Sequence, residues 1–148
     1  MPHCSVKAIS LTQPWATAIM RGLKTYETRS WETRYQGAIA IHAAKSMSSA
    51  DRYFAEEQLG ADIAKNLPLG CILGICRLHF VIPITNDFAR QLTLSEDKWG
   101  DYSPGRFAWN LDHIRPFPKT YAIRGHLGLW TWNFTESWIS DLIDEVLA

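Results

Sequence analysis

Hydrophobic positions along the chain recur at two spacings, which predict short strands mixed with a few helices. Residues 5–11 alternate and predict a first strand. Thr12 is placed to N-cap a helix with Pro14 in its first turn, where a missing N–H costs nothing. Trp15, Ile19 and Met20 form the buried stripe of that helix, and Gly22 ends it in the left-handed position. A strand is expected from about 25 to 31, and Gly37 opens another over 38–44. Ser48 with Asp51 starts a second helix that runs to about Gly60, followed over 61–70 by a further turn and a loop. Residues 71–82 are a long apolar strand stopped by Pro83. The stretch 87–105 is irregular apart from a helical turn at 95–99, while 106–111 and 127–132 are strand candidates. Thr135 caps a last helix with Trp138, Leu142 and Val146 on one face. Strands and helices mix without regular βαβ alternation, so the class is α+β with a curved or barrel-like mixed sheet.

With 148 residues and no linker or repeat, the chain is expected to form one domain over 1–148, with its core at about 7–132 and a terminal helix at about 136–147. The 15 basic residues are balanced by 15 acidic ones. That balance argues against a basic face for long nucleic acid, which depends on neutralising many phosphates. A site for one nucleotide, or for a short strand held by stacking, stays open. Arg21, Lys24, Arg29, Arg34 and Lys45 are opposed nearby only by Glu27 and Glu32, so an anionic ligand is expected there. Three cysteines without paired spacing fit a reducing cytosol. No basic–apolar–small leader and no apolar run of about 18 residues is present, so a cytoplasmic location without membrane contact is expected. Cys71, Cys76 and His79 lack a zinc spacing, and no Gly-rich phosphate loop occurs; neither metal nor cofactor is expected. Oligomeric state leaves no mark in the sequence.

The densest chemistry lies between Gln13 and Trp31. Glu27 and Arg29 are two apart on a strand and share a face. Lys24 joins them only if it occupies the turn after Gly22. Such a trio is either a surface ion-pair set of little worth or a polar site where Glu27 accepts from an amide or hydroxyl. On the next strand, Ala38, Ala40, His42 and Ala44 form a face of small residues, leaving room for a helix or a ligand. His42 ends that face beside Lys45, and a lone histidine is more often structural than catalytic. Of the seven tryptophans, Trp15 and Trp109 are the ones flanked by polar groups and are the expected stacking platforms; the others read as core.

These residues resemble a known family. Gln13-Pro14-Trp15-Ala16, then Gly22-x-Lys24-x-x-Glu27-x-Arg29, then Ile41-His42-Ala43-Ala44, is similar to the ASCH domain, whose signature is Gly-x-Lys-x-x-Glu-x-Arg. Gly105-Arg106-Phe107-Ala108-Trp109 and Gly125-His126-Leu127-Gly128-Leu129-Trp130 resemble later strands of bacterial and phage members. The N-terminal part is also similar to the endothelial-overexpressed lipopolysaccharide-associated factor group. The resemblance implies a small β-barrel-like fold akin to the RNA-binding PUA domain, with flanking helices. It also implies a cleft lined by Lys24, Glu27 and Arg29, with Gln13, Trp15 and His42 nearby. Lys45 and Trp109 complete the expected ligand-binding set. The implied function is an RNA- or nucleotide-binding module that recognises a nucleobase or modified nucleoside. Some members instead deacetylate N4-acetylcytidine or cleave RNA, and in an enzyme Lys24, Glu27 and His42 would be the catalytic residues. Those deacetylases keep a nucleophilic Thr where Glu27 stands, and a carboxylate forms the same acyl intermediate less readily. Binding is therefore the first reading and hydrolysis the second.

Overall fold

A computed structural model describes residues 2–148. Its centre is a six-stranded mixed sheet in the order β2-β5-β4-β3-β1-β6. The strands are β1 (Ser5–Leu11), β2 (Tyr26–Arg29), β3 (Gly37–Ala43), β4 (Cys71–Pro83), β5 (Phe107–Ala122) and β6 (Leu129–Asn133). β1 and β3 pair in parallel, with Ser10 opposite His42; every other pairing is antiparallel. The helices are α1 (Trp15–Met20), α2 (Ser49–Leu59), α3 (Ala61–Lys65), α4 (Asn86–Arg90), α5 (Leu94–Asp97) and α6 (Ser137–Leu147). The class is α+β, and the curled sheet matches the PUA-like half-barrel.

Alternation along the strands divides the core in two. Ile9, Leu11, Ile39, Ile41, Leu78 and Leu111 face α1 through Ala16 and Ile19. The opposite parity, Val6, Ala8, Ala38 and Ala40, packs with Trp130 and Trp132 against Ile139, Ile143 and Val146 of α6. The small residues on β3 thus make room chiefly for a helix. The register of β4 against β5 shifts between Ile72 and Gly74 and again between Ile75 and Arg77. These bulges let Leu73 and Cys76 share one core while Ile72 and Ile75 share the other.

Several expected elements differ in detail. Thr12 does not cap α1; Gln13 Oε1 accepts from Thr17 N at 3.0 Å instead, a longer side chain reaching the same kind of orphan donor from one residue later. Gly22 does end the turn with φ +72°. Ser48 caps α2, accepting from Asp51 N at 3.0 Å. β5 runs to Ala122, well beyond the expected 111. Pro116 and Pro118 read as strand breakers, yet only residues 107–110 of β5 pair with β2, so both prolines lie where β5 has an open edge and no ladder donor is missing on that side. The helix α4 lies in a stretch expected to be irregular. The buried face of α6 is Ile139, Ile143 and Val146, with Trp138 and Leu142 at its margin, and Thr135 does not cap it. Cys4, Cys71 and Cys76 are free thiols, and no helix among the described residues is long and apolar enough to cross a membrane.

Candidate functional site

The turn between α1 and β2 brings three charged side chains together. Gly22 reverses the chain, so Lys24 points inward from the turn instead of following the strand's phase. Lys24 Nζ donates to Glu27 Oε1 at 3.1 Å, and its side chain is 1% exposed. Arg29 Nε lies 3.0 Å from Glu27 Oε2 at an angle outside hydrogen-bond geometry, while its Nη2 donates to the Ser10 carbonyl at 2.9 Å. Glu27 therefore sits between two cations, and Oε2 keeps lone pairs open to a further donor. The turn is clamped from outside: Glu96 Oε1 accepts from Thr25 N at 2.8 Å and from Thr25 Oγ1 at 2.7 Å. Glu96 Oε2 accepts from the Tyr102 hydroxyl, and burial, reinforced by Glu96, pushes that phenol's pKa far up. Tyr102 accordingly stays a neutral donor at this clamp.

The trio lines a cavity of about 660 Å³. Trp15, Trp31, Phe54 and Trp99 supply its aromatic surface, and Lys98, Asp101 and Arg106 add charge from the α5–β5 connection. Trp15 stacks on Phe54, with centroids 5.5 Å apart and planes 14° from parallel. Trp31 is 36% exposed and meets Trp109 edge-on at 4.9 Å. Four cations and two carboxylates face this space, so it favours a ligand with acceptor or anionic oxygens as well as a ring.

Four expected ligand-binding residues lie elsewhere. Gln13 is fully buried: Nε2 donates to the Pro68 carbonyl at 3.0 Å while Oε1 holds Thr17 N. It fastens α1 to the loop before β4. Trp109 is also fully buried and donates Nε1–H to the Trp31 carbonyl at 3.4 Å, so it backs Trp31 and offers no face for stacking. His42 and Lys45 line a different cavity, of about 1140 Å³, on the far side of Ser10. There His42 Nε2 meets the Ile123 carbonyl at 2.8 Å, which can only accept, so the proton is on Nε2. Nδ1 then accepts from the Ser10 hydroxyl at 2.9 Å, and Trp130 Nε1 donates to the same oxygen at 3.2 Å. Burial lowers the pKa of His42, with the bond to Ile123 opposing and His126 adding to the effect. A neutral, doubly bonded imidazole is a structural strut at this junction.

The model of the ASCH domain matches residues 9–117, most of the chain. The chain belongs to the ASCH domain family. Activating signal cointegrator 1 of Homo sapiens is 35% identical over 74 residues, 45% of this chain and 13% of that protein; the Mus musculus protein gives the same figures. The chain thus matches only a small part of those relatives' length. The crystal structure of ASCH from Zymomonas mobilis has a TM-score of 0.54 at 18% identity, covering 96% of this chain and 95% of that one. A mutant form of the same protein gives 0.54 at 18%, covering 98% and 99%. At that identity the likeness establishes the shared fold alone.

Within this ASCH domain, Ser10, Trp31, Lys98, Asp101 and Arg106 join the site without having been expected there. Ser10 lies near the end of β1, opposite His42 in the parallel pairing with β3, and lines both cavities. Arg106 reaches the site because Phe107 pairs with Arg29, and its Nη2 donates to the Thr28 carbonyl at 3.2 Å. The Gly105–Trp109 block carries that signal, but in its Arg and not in its Trp. Among the described residues no group of three metal-ligating side chains converges.

Proposed function

We propose that the cleft around Glu27 recognises a nucleobase presented by single-stranded RNA. One observation carries the reading: the half-satisfied Glu27 carboxylate, held over a buried Lys24, in a cavity walled by Trp15 and Trp31. Replacing a buried ion pair by well-packed apolar residues is often neutral or stabilising, so packing alone does not account for this trio. Glu27 Oε2 is suited to accept from a base N–H, and the Arg29 and Arg106 guanidiniums to meet carbonyl or phosphate oxygens. Cytosine and guanine, which carry an amine and a carbonyl on one edge, match that set. An aromatic wall adds stacking worth roughly 1–3 kcal/mol per base. The overall neutral charge is consistent with a splayed single strand in a pocket and not with a gripped duplex. The ASCH membership supports the same class of ligand.

A thermal-shift screen of nucleosides, nucleotides and short single-stranded RNAs tests this, since a ligand of the native state raises apparent stability. Single-stranded RNA should raise the melting temperature in the wild type and less so in Trp31→Ala. A flat screen across all of them removes the reading.

Hydrolysis of a modified nucleoside amide is a second reading, favoured by Lys24 Nζ lying 3.1 Å from Glu27 Oε1 inside the cavity. Lys24 would polarise the carbonyl while Glu27 activated water. Release of cytidine from N4-acetylcytidine, abolished in Lys24→Ala, would establish it.

A further inference from the structure

Beside the Glu27 cleft, the larger cavity of about 1140 Å³ stands without a role. Its charged lining is Lys45 and Arg124, with the imidazole of His126 and no carboxylate among the described residues. The rest is mostly aliphatic surface, including the fully exposed Leu127 at its edge. This pairing of cations with an apolar floor suits a phosphodiester carrying a flat base. Inorganic anions would use only the cations, and a hydrophobic ligand only the floor.

The two cavities are neighbours. Ser10 lines both, and its two polar groups are held from opposite sides: Arg29 Nη2 takes its carbonyl and His42 Nδ1 its hydroxyl. On the larger cavity's side of Ser10 the backbone of Gly125 approaches closely. A Cβ there would lie 2.5 Å from Ser10 Oγ and 2.6 Å from His42 Cε1, so only glycine fits without displacing the strut. The segment 123–127 is thereby pinned against β1 and β3, with Arg124 and His126 on the cavity. His126 packs at 5.3 Å from the Trp130 ring, which stiffens the same segment.

Resting on the nucleobase reading of the first cleft, we propose that the second cavity is the subsite for the adjoining nucleotide of the same strand. Lys45 and Arg124 hold its phosphodiester, and its base lies over the aliphatic floor beside His126. The ligand of the protein is then an RNA of at least two nucleotides running past Ser10. A lone mononucleotide fills only part of the site.

The experiment compares a mixed-sequence hexaribonucleotide with each of the four nucleoside 5′-monophosphates by isothermal titration at several salt concentrations. Wild type should bind the hexamer at least about tenfold tighter than the best monophosphate. In Lys45→Ala/Arg124→Ala, two positions outside the buried core, that advantage should collapse to about twofold. The slope of log affinity against log salt should also fall by about 0.7, for the one phosphate no longer neutralised. The charge-keeping variant Lys45→Arg should retain the advantage. A hexamer with no advantage in the wild type, or an advantage that survives the double substitution, overturns the second subsite while leaving the first cleft standing. Failure of every monophosphate and of the hexamer overturns both.

Discussion

Lys24 Nζ is 3.1 Å from Glu27 Oε1, and the lysine side chain is 1% exposed. A lysine this buried is held in place by its carboxylate, and the carboxylate is held by Lys24 and Arg29 together. Removing one cation leaves a charge without half of its compensation. Lys24→Met should cost about 3 kcal/mol, the low end for breaking a buried pair because Arg29 remains. In a urea-denaturation cycle, adding Glu27→Gln should cost much less in the Lys24→Met background than in the wild type. Strict additivity would show that the two residues are not coupled.

Gln13 should behave as a fastener and not as a ligand contact. Gln13→Leu leaves the Pro68 carbonyl and Thr17 N–H without their partner, for a loss of about 1–3 kcal/mol in chemical denaturation. RNA affinity at temperatures well below the transition should change little. A variant of full stability and poor affinity would return Gln13 to the binding set.

The lowered pKa of His42 fixes a direction for pH dependence. The unfolded chain takes the proton near the ordinary value of about 6.5, while the folded imidazole takes it only at lower pH. Its contribution to stability is therefore complete above about pH 6.5 and is lost as pH falls through the folded value. Melting temperatures between pH 8 and 5 should fall more steeply for wild type than for His42→Asn. Parallel profiles would show that His42 is not the group responsible.

Much of the site's skeleton is legible in the amino-acid sequence. Strand phase places Glu27 and Arg29 on one face, and the stop signal at Gly22 places Lys24 in the turn beside them; both are local rules. What local rules do not supply is the company these residues keep. His42 and Lys45 follow the signature closely in sequence, yet the parallel pairing of β1 and β3 sends them to the other side of Ser10. Trp109 and Trp31 exchange their expected roles for a similar reason. Flanking polar residues suggest access at Trp109, but pairing with both β2 and β4 puts that position in the middle of the sheet, and Trp31 lies in the chain beyond β2. The full length of β5 is hidden because proline reads as a strand stop, and only the topology shows that its far half is an edge.

N4-acetylcytidine separates binding from hydrolysis. The nucleophilic Thr expected of an ASCH deacetylase is replaced in this chain by Glu27. The adjacent Thr25 hydroxyl is committed to Glu96. Incubation for hours with an excess of the nucleoside, followed by chromatography, should show the acetyl group still in place. Turnover that disappears in Lys24→Ala would make the protein a hydrolase.

Trp15 and Trp31 are proposed to stack a base from single-stranded RNA above Glu27. Fluorescence anisotropy of a labelled mixed-sequence hexaribonucleotide tests it most directly, with wild type set beside Trp15→Ala/Trp31→Ala and with circular dichroism confirming the fold of each. Saturable binding in the wild type, weakened at least about tenfold in the variant, is the predicted result, given roughly 1–3 kcal/mol for each stacked base. Equal affinity in a folded variant, or no binding by the wild type, contradicts it.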